Sequence, residues 1–259
     1  MTAPMSDDGI VVLSRDGDLA LVDLNKPPHN LLDGAMLDAL DGAFEDAVNG
    51  GCRAIVVASR LRHFCAGADL EAMRSGQLAK LDFIGFLHRM EDLPVPTVAA
   101  VHGAALGGGL ELALGCDMIV AAETAQLGLV ETTLGLFPLM GGVQRVVAAV
   151  GPARAKEIAL LGRRHTAAVL ERWGLINQVV ADEALGEASR SLGRQLAAGP
   201  TVAYRAVKQI ANLTAAGGVA AGDALTGEVA PSVWESADLE AGLRVFLETG
   251  SPRAVFTGG

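Results

Sequence analysis

The chain has 259 residues, 51% of them hydrophobic and only 4% aromatic, with a formal net charge of -10. That length holds one large domain, or one domain with a helical appendage, around a sizeable core. An acidic chain with no dense run of Lys or Arg is a poor partner for nucleic acid or an anionic membrane surface, and no apolar run reaches the roughly 18 to 20 residues of a membrane span.

The first ten residues read as a polar, loose leader, neither signal peptide nor basic transit peptide. Ile10–Leu13 and Leu19–Leu24 read as short strands around Asp16-Gly17, a dipeptide that favours a hairpin. An irregular Asn25-Lys26-Pro27-Pro28-His29-Asn30 loop follows. Met36, Leu37, Leu40, Phe44 and Val48 then recur at helical spacing from about Asp33, and Gly50-Gly51 ends that helix. Ala54–Ala58 is a buried strand. The small residues of His63–Leu70 break the pattern, and a helix is expected over Leu78–Met90. Thr97–Val101 is a strand running into Gly103–Gly109, with a helix from near Leu110 and another strand at Met118–Ala121. The alternation predicts an α/β fold with largely parallel pairing.

Beyond Gly141 the chain reads almost wholly helical, apart from a short strand at Ile176–Val180. Thr166 caps one helix and Gly174 stops it; Gly199-Pro200 opens another; Leu239, Leu243, Val245 and Phe246 pattern the last. The expected division is an α/β core over 1–195 and a C-terminal helical region over 196–259.

The three cysteines, Cys52, Cys65 and Cys116, have neither disulfide nor zinc spacing and read as reduced thiols in a cytoplasmic protein. The histidines His29, His63, His88, His102 and His165 are dispersed, so no metal site is expected.

Two glycine- and alanine-rich segments carry the chemistry. In Cys65-Ala66-Gly67-Ala68-Asp69, small residues after a buried strand let a ligand lie against the main chain. In Gly107-Gly108-Gly109 the backbone is again bare and a helix starts at once, with unsatisfied N–H donors. Two such donors converging on one oxygen make an oxyanion hole. Either cluster alone is more simply a tight turn or a close packing contact. The third glycine of a dinucleotide fingerprint is missing, and no GK[ST] phosphate loop is present. Glu111 and Glu131, each at a helix start, are simple dipole-facing carboxylates taken singly, and an acid/base pair if they share a site.

Together, HFCAGADL at 63–70, VHGAALGGGLELALGCDMIVAA at 101–122 and LGLVETTLGLFPLMGGVQRV at 127–146 resemble the crotonase (enoyl-CoA hydratase/isomerase) superfamily, with weaker likeness from Leu24 to Phe246. The resemblance implies a spiral of ββα turns with a C-terminal helical trimerisation region, in homotrimers or homohexamers. It implies an oxyanion hole from the N–H groups of Ala66 and Gly108. It implies that Ala66, Gly67, Ala68 and Asp69 lie along an acyl-coenzyme A thioester, with Lys26 on a CoA phosphate and coenzyme A entering only as part of the substrate.

Both Glu111 and Glu131 match the two carboxylates of the hydratases, which implies addition of water to a 2-enoyl-CoA. The alternatives are an enoyl-CoA isomerase using one glutamate, and a non-catalytic acyl-CoA binder. Leu129-Val130 and Pro138-Leu139-Met140 replace smaller or more polar residues of the family pattern, which puts bulk beside the acyl pocket. Phe246 is a candidate to line it.

Overall fold

Two apolar runs that alternate across a tight turn open the fold. The structure is a computed structural model that describes residues 9–259, so most of the expected N-terminal leader lies outside the described residues. Strands β1 (Val11–Asp16) and β2 (Leu19–Leu24) pair antiparallel with Asp16 opposite Leu19. Helix α1 (Gly34–Asn49) follows, its first turn closed by the Asp33 carboxylate, which accepts the Met36 N–H. Strand β3 (Ala54–Ser59) then pairs parallel with β2, and its first four residues are all buried, as expected for a strand covered on both faces.

The expected helix over Leu78–Met90 is broken. A short 3-10 turn (Leu78–Lys80) and helix α3 (Phe83–Glu91) are separated at Asp82, whose carboxylate caps α3 by accepting the Gly85 N–H. Ahead of them lies an unexpected five-residue helix, α2 (Leu70–Arg74), capped by Asp69. Strand β4 (Thr97–Val101) runs parallel to β3. Strand β5 (Ala104–Leu106), helix α4 (Gly108–Leu114), strand β6 (Met118–Ala122) and strand β7 (Gln126–Gly128) follow.

Helix α5 (Gly142–Leu161) is kinked at Gly151, just before Pro152. Strand β8 (His165–Thr166), helix α6 (Ala167–Trp173) between Thr166 and Gly174, and strand β9 (Gln178–Val180) complete the sheets. One sheet has the order β1-β2-β3-β4-β6-β9, antiparallel only at β1/β2. The second has the order β5-β7-β8 and is mixed.

Helix α7 (Leu185–Ala197) lies across β3 and β4. The C-terminal helical region is α8 (Thr201–Gly217), α9 (Val219–Trp234) and α10 (Ala237–Thr249), with α8 and α9 packed on each other. Polar clamps tie it to the sheet. Lys208 of α8, nearly buried, meets the Asp117 carboxylate at 2.9 Å, and that carboxylate also accepts from the backbone and hydroxyl of Thr97. Arg53 donates to the Thr201 hydroxyl and the Phe256 carbonyl, both at 2.9 Å.

Candidate active site

The segment after β3 is held by parallel bridges that decide which amides remain free. Leu32 donates to the Gly67 carbonyl at 2.9 Å and accepts from the Asp69 N–H at 2.8 Å, which pairs Leu32 with Ala68. In such a bridge the residue between the two bonded groups points its own N–H and C=O away. The Ala68 N–H therefore faces outward, and it has no acceptor among the described residues.

The Ala66 N–H is different. It donates to the His29 carbonyl at 3.1 Å. The expectation that Ala66 supplies an oxyanion donor is corrected on this ground: that hydrogen is already spent inside the loop. Cys65 is likewise tied into the fold, exchanging hydrogen bonds with Ala104 and Leu106 and giving its thiol to the Asn30 carbonyl at 3.0 Å. Complete burial pushes the thiol up to about 12, so it is a packing group and not a nucleophile.

Gly108, the other expected donor, lies beside Ala68. Gly108 opens α4, where the first N–H groups have no intrahelical acceptor, and its amide has no acceptor among the described residues. An ideal Cβ on Gly108 would stand 3.9 Å from the Ala68 nitrogen, so the two bare segments lie side by side. Gly107, the preceding residue, has φ 52, and a Cβ there would come within 2.9 Å of Oε1 of Glu131. Only glycine leaves room for that carboxylate against the main chain.

Both glutamates face the same space. Glu111 is 1% exposed. Its Oε1 accepts the N–H of Met140 at 2.9 Å and of Gly142 at 2.8 Å, while Oε2 takes no hydrogen bond from the described residues. Burial pushes its carboxyl up to about 7, against the two N–H donors that favour the charged form and with the Glu131 charge adding to the rise. Glu131 begins a 3-10 turn (Glu131–Leu134), and both its carboxylate oxygens are buried without a hydrogen-bond partner among the described residues. Burial raises its carboxyl as well. Two carboxyl groups driven toward their neutral forms beside unpartnered backbone donors suit proton transfer at a carbon next to a polarised carbonyl.

All the expected site residues except Lys26 line one cavity of about 500 Å³. The Lys26 ammonium is instead paired with Asp33 at 2.6 Å and bonded to the Leu31 carbonyl at 3.2 Å. Phe246 lies on α10, half exposed, and is not part of the cavity wall. Of the bulky replacements, Leu129 is fully buried in the core, whereas Val130, Leu139 and Met140 line the cavity.

Sequence reasoning passed over Asn30. It is fully buried with φ 53, its amide donates to the Ser59 hydroxyl and to the carbonyls of His63 and Phe64, and its Oδ1 accepts from the Lys26 N–H. An asparagine just after a Pro-Pro-His run was the available signal, since Asn tolerates positive φ better than most residues.

Comparison with known proteins matches this architecture. Residues 14–257 fit the family model described as Enoyl-CoA hydratase/isomerase. A relative from Rhizobium meliloti (strain 1021), "Probable enoyl-CoA hydratase", is 40% identical over 223 residues, 81% of this chain and 85% of the relative. A "Carnitinyl-CoA dehydratase" from Salmonella typhi is 36% identical over 208 residues, 78% of this chain and 80% of the relative. The solved structure "Enoyl-CoA Hydrates Subunit I Other Form" from Geobacillus kaustophilus HTA426 superposes with a TM-score of 0.90 at 33% identity, covering 98% of this chain and all of that one.

Proposed function

Since this chain belongs to the enoyl-CoA hydratase/isomerase family, we propose that it adds water to a 2-enoyl-CoA thioester to give the 3-hydroxyacyl-CoA. The observation that carries this reading is the pair Glu111 and Glu131, both at one cavity with carboxyls raised by burial, beside the amides of Ala68 and Gly108, which have no acceptor among the described residues.

The thioester carbonyl oxygen accepts from the N–H groups of Ala68 and Gly108. A water held between the two glutamates gives its oxygen to the β-carbon and a proton to the ionised carboxylate. The π electrons of the double bond move into the carbonyl, and the resulting enolate oxygen is stabilised by the two amides. The α-carbon then takes a proton from the carboxylic acid of the pair, and the bookkeeping closes on one added water. Removing one donor from such a hole costs roughly 3 to 4 kcal/mol in the transition state.

Family members act as assemblies in the same reading, here a homotrimer or homohexamer. Exposed Trp234, Leu243, Phe246 and Leu247 on α9 and α10 offer apolar surface for that contact.

A mass-resolved assay with a 2-enoyl-CoA tests the activity. Loss of the enoyl thioester absorbance with gain of one water is the expected result. Loss of absorbance at unchanged mass would mean a shifted double bond, and tight binding with no turnover would mean a binder; either ends the hydratase reading.

A further inference from the structure

The wall of the cavity beyond the two glutamates is almost entirely hydrocarbon and is open to solvent at its outer end. Glu131 leads directly into Leu134, Leu136 and Phe137, and Glu111 is hydrogen bonded to the backbone at Met140 and Gly142, so the segment from 134 to 140 stands next to both carboxyls. Along that segment Leu134 is 61% exposed and Phe137 64% exposed, although both line the cavity. Leu139 also lines it while partly facing solvent, whereas Met140 beside it is buried. The apolar wall thus continues from beside the two carboxyls to side chains that face solvent.

Charge along the wall is accounted for. Among the described residues no Lys, Arg or His lines the cavity. Of the acidic groups outside the pair, Asp69 accepts the N–H groups of Glu71 and Ala72 at the start of α2, and Glu71 is paired with Arg74. A charged acyl terminus would find no counter-ion past the glutamates and would lose water among leucines.

We propose that Leu134, Phe137 and Leu139 form an open apolar rail that selects uncharged acyl chains of medium or greater length over short or charged ones. This rests on the hydratase reading, since it places the thioester at Ala68 and Gly108 and the chain beyond Glu111 and Glu131. Each methylene laid against the rail removes hydrocarbon from water on both partners.

The test is kcat/KM for 2-enoyl-CoA esters of four, eight and twelve carbons, with twelve-carbon esters ending in a carboxylate or a trimethylammonium group, for the full chain and for Phe137→Ser and Leu134→Ser. The expected result is a rise with length, up to about fourfold per methylene, and a loss of about tenfold or more on adding either charge. Each variant should lower the twelve- to four-carbon ratio at least severalfold, with the sedimentation of the protein unchanged. A flat or falling length series, equal losses at every length, or an altered assembly state in the variants would overturn the rail; the last would make this rim a subunit contact. Calorimetric binding of the saturated esters separates the two ideas. Length-dependent binding without hydration sinks the hydratase reading alone, and hydration without length dependence sinks the rail alone.

Discussion

The N–H of Gly142 donates to Oε1 of Glu111 at 2.8 Å, and a methyl group at position 142 would come within 3.0 Å of the same oxygen and 2.8 Å of the Glu111 Cγ. The start of α5 therefore aims a carboxylate that belongs to α4. Gly142→Ala should push Glu111 away from the space it shares with Glu131, because Leu129 closes the other side of the added carbon at 3.0 Å. Displacements of about 1 Å in a reacting group cost on the order of 100-fold. The expected outcome is a loss of that size in kcat with binding of a saturated acyl-CoA little changed, read by steady-state kinetics beside calorimetry. Full retention of kcat would mean that the contact does not aim the carboxylate.

The acid/base pair gives a second prediction. Glu111→Gln and Glu131→Gln each keep the shape of the side chain and remove its titration. Positioned acid/base groups contribute roughly 100- to 10,000-fold. Each variant should lose kcat in that range while the KM for the enoyl ester moves far less. Full activity in both would remove the two glutamates from the chemistry.

Stability against pH follows from the same burial. The Glu111 carboxyl is raised from 4.5 to about 7 on folding. Between those values the folded chain holds a proton that the unfolded chain has released. Its contribution is therefore complete below pH 4.5 and is lost as pH rises through about 7. A rise of this size corresponds to a contribution of about 3 kcal/mol. Glu131, raised in the same direction, adds to the slope. The lowered imidazoles of His63 and His165 slope the other way in the same window, in wild type and variant alike. Denaturant melts should therefore show the stability of the wild type falling relative to that of Glu111→Gln as pH rises from 4.5 through about 7, and parallel curves for the two would contradict the burial of Glu111.

The two amides facing the cavity were only half legible in the sequence. The glycine and alanine runs mark where main chain is bare, and small residues alone suffice for that. Which amide faces outward depends on Leu32, more than thirty residues earlier, bonding to Gly67 and Asp69 and leaving Ala68 turned away. No local pattern near 66–69 encodes that choice, so Ala66 and Ala68 look equivalent until the bridge is seen. The Lys26–Asp33 ion pair was hidden in the same way, since Asp33 meets that charge from the far end of a loop. The hairpin, α1, the helix opening at Gly199-Pro200 and the last helix were legible because apolar spacing and turn residues are local. Strands β5, β7 and β8, of two or three residues, are too short to show a period, and the break at Asp82 is a cap hidden inside an apolar stretch.

The bridge makes a distinction that proline can test. Ala68→Pro removes an N–H that has no acceptor among the described residues, so the fold should survive while kcat drops by about 100- to 1,000-fold, the loss expected for one donor of an oxyanion hole. Ala66→Pro removes the bond to the His29 carbonyl and should act first on stability. Thermal melts beside kinetics separate the two. Near-normal kcat in a folded Ala68→Pro variant would reassign the donor.

Asn30 holds the loop that carries Leu32, and its loss should reach the site through that loop. The side chain is fully buried, and its amide group serves the Ser59 hydroxyl at 2.8 Å and the Phe64 carbonyl at 2.9 Å. Its Oδ1 takes the Lys26 N–H at 2.8 Å. Asn30→Ala leaves the Phe64 carbonyl and the Lys26 N–H without these bonds, while the Ser59 hydroxyl keeps its bonds to the His63 carbonyl and the Leu61 N–H, and it keeps φ 53 on a residue that adopts it reluctantly. Each unpaired buried group costs about 1 to 3 kcal/mol, so the variant should lose at least that much stability. Asn30→Gly relieves the backbone but not the hydrogen bonds, and the difference between the two variants measures the strain. If the loop positions the donor, both variants should also weaken binding of a saturated acyl-CoA, because Leu32 pins the segment on which the Ala68 amide is carried. A destabilised but fully binding Asn30→Ala protein would confine Asn30 to the scaffold and free the Ala68 segment from its control.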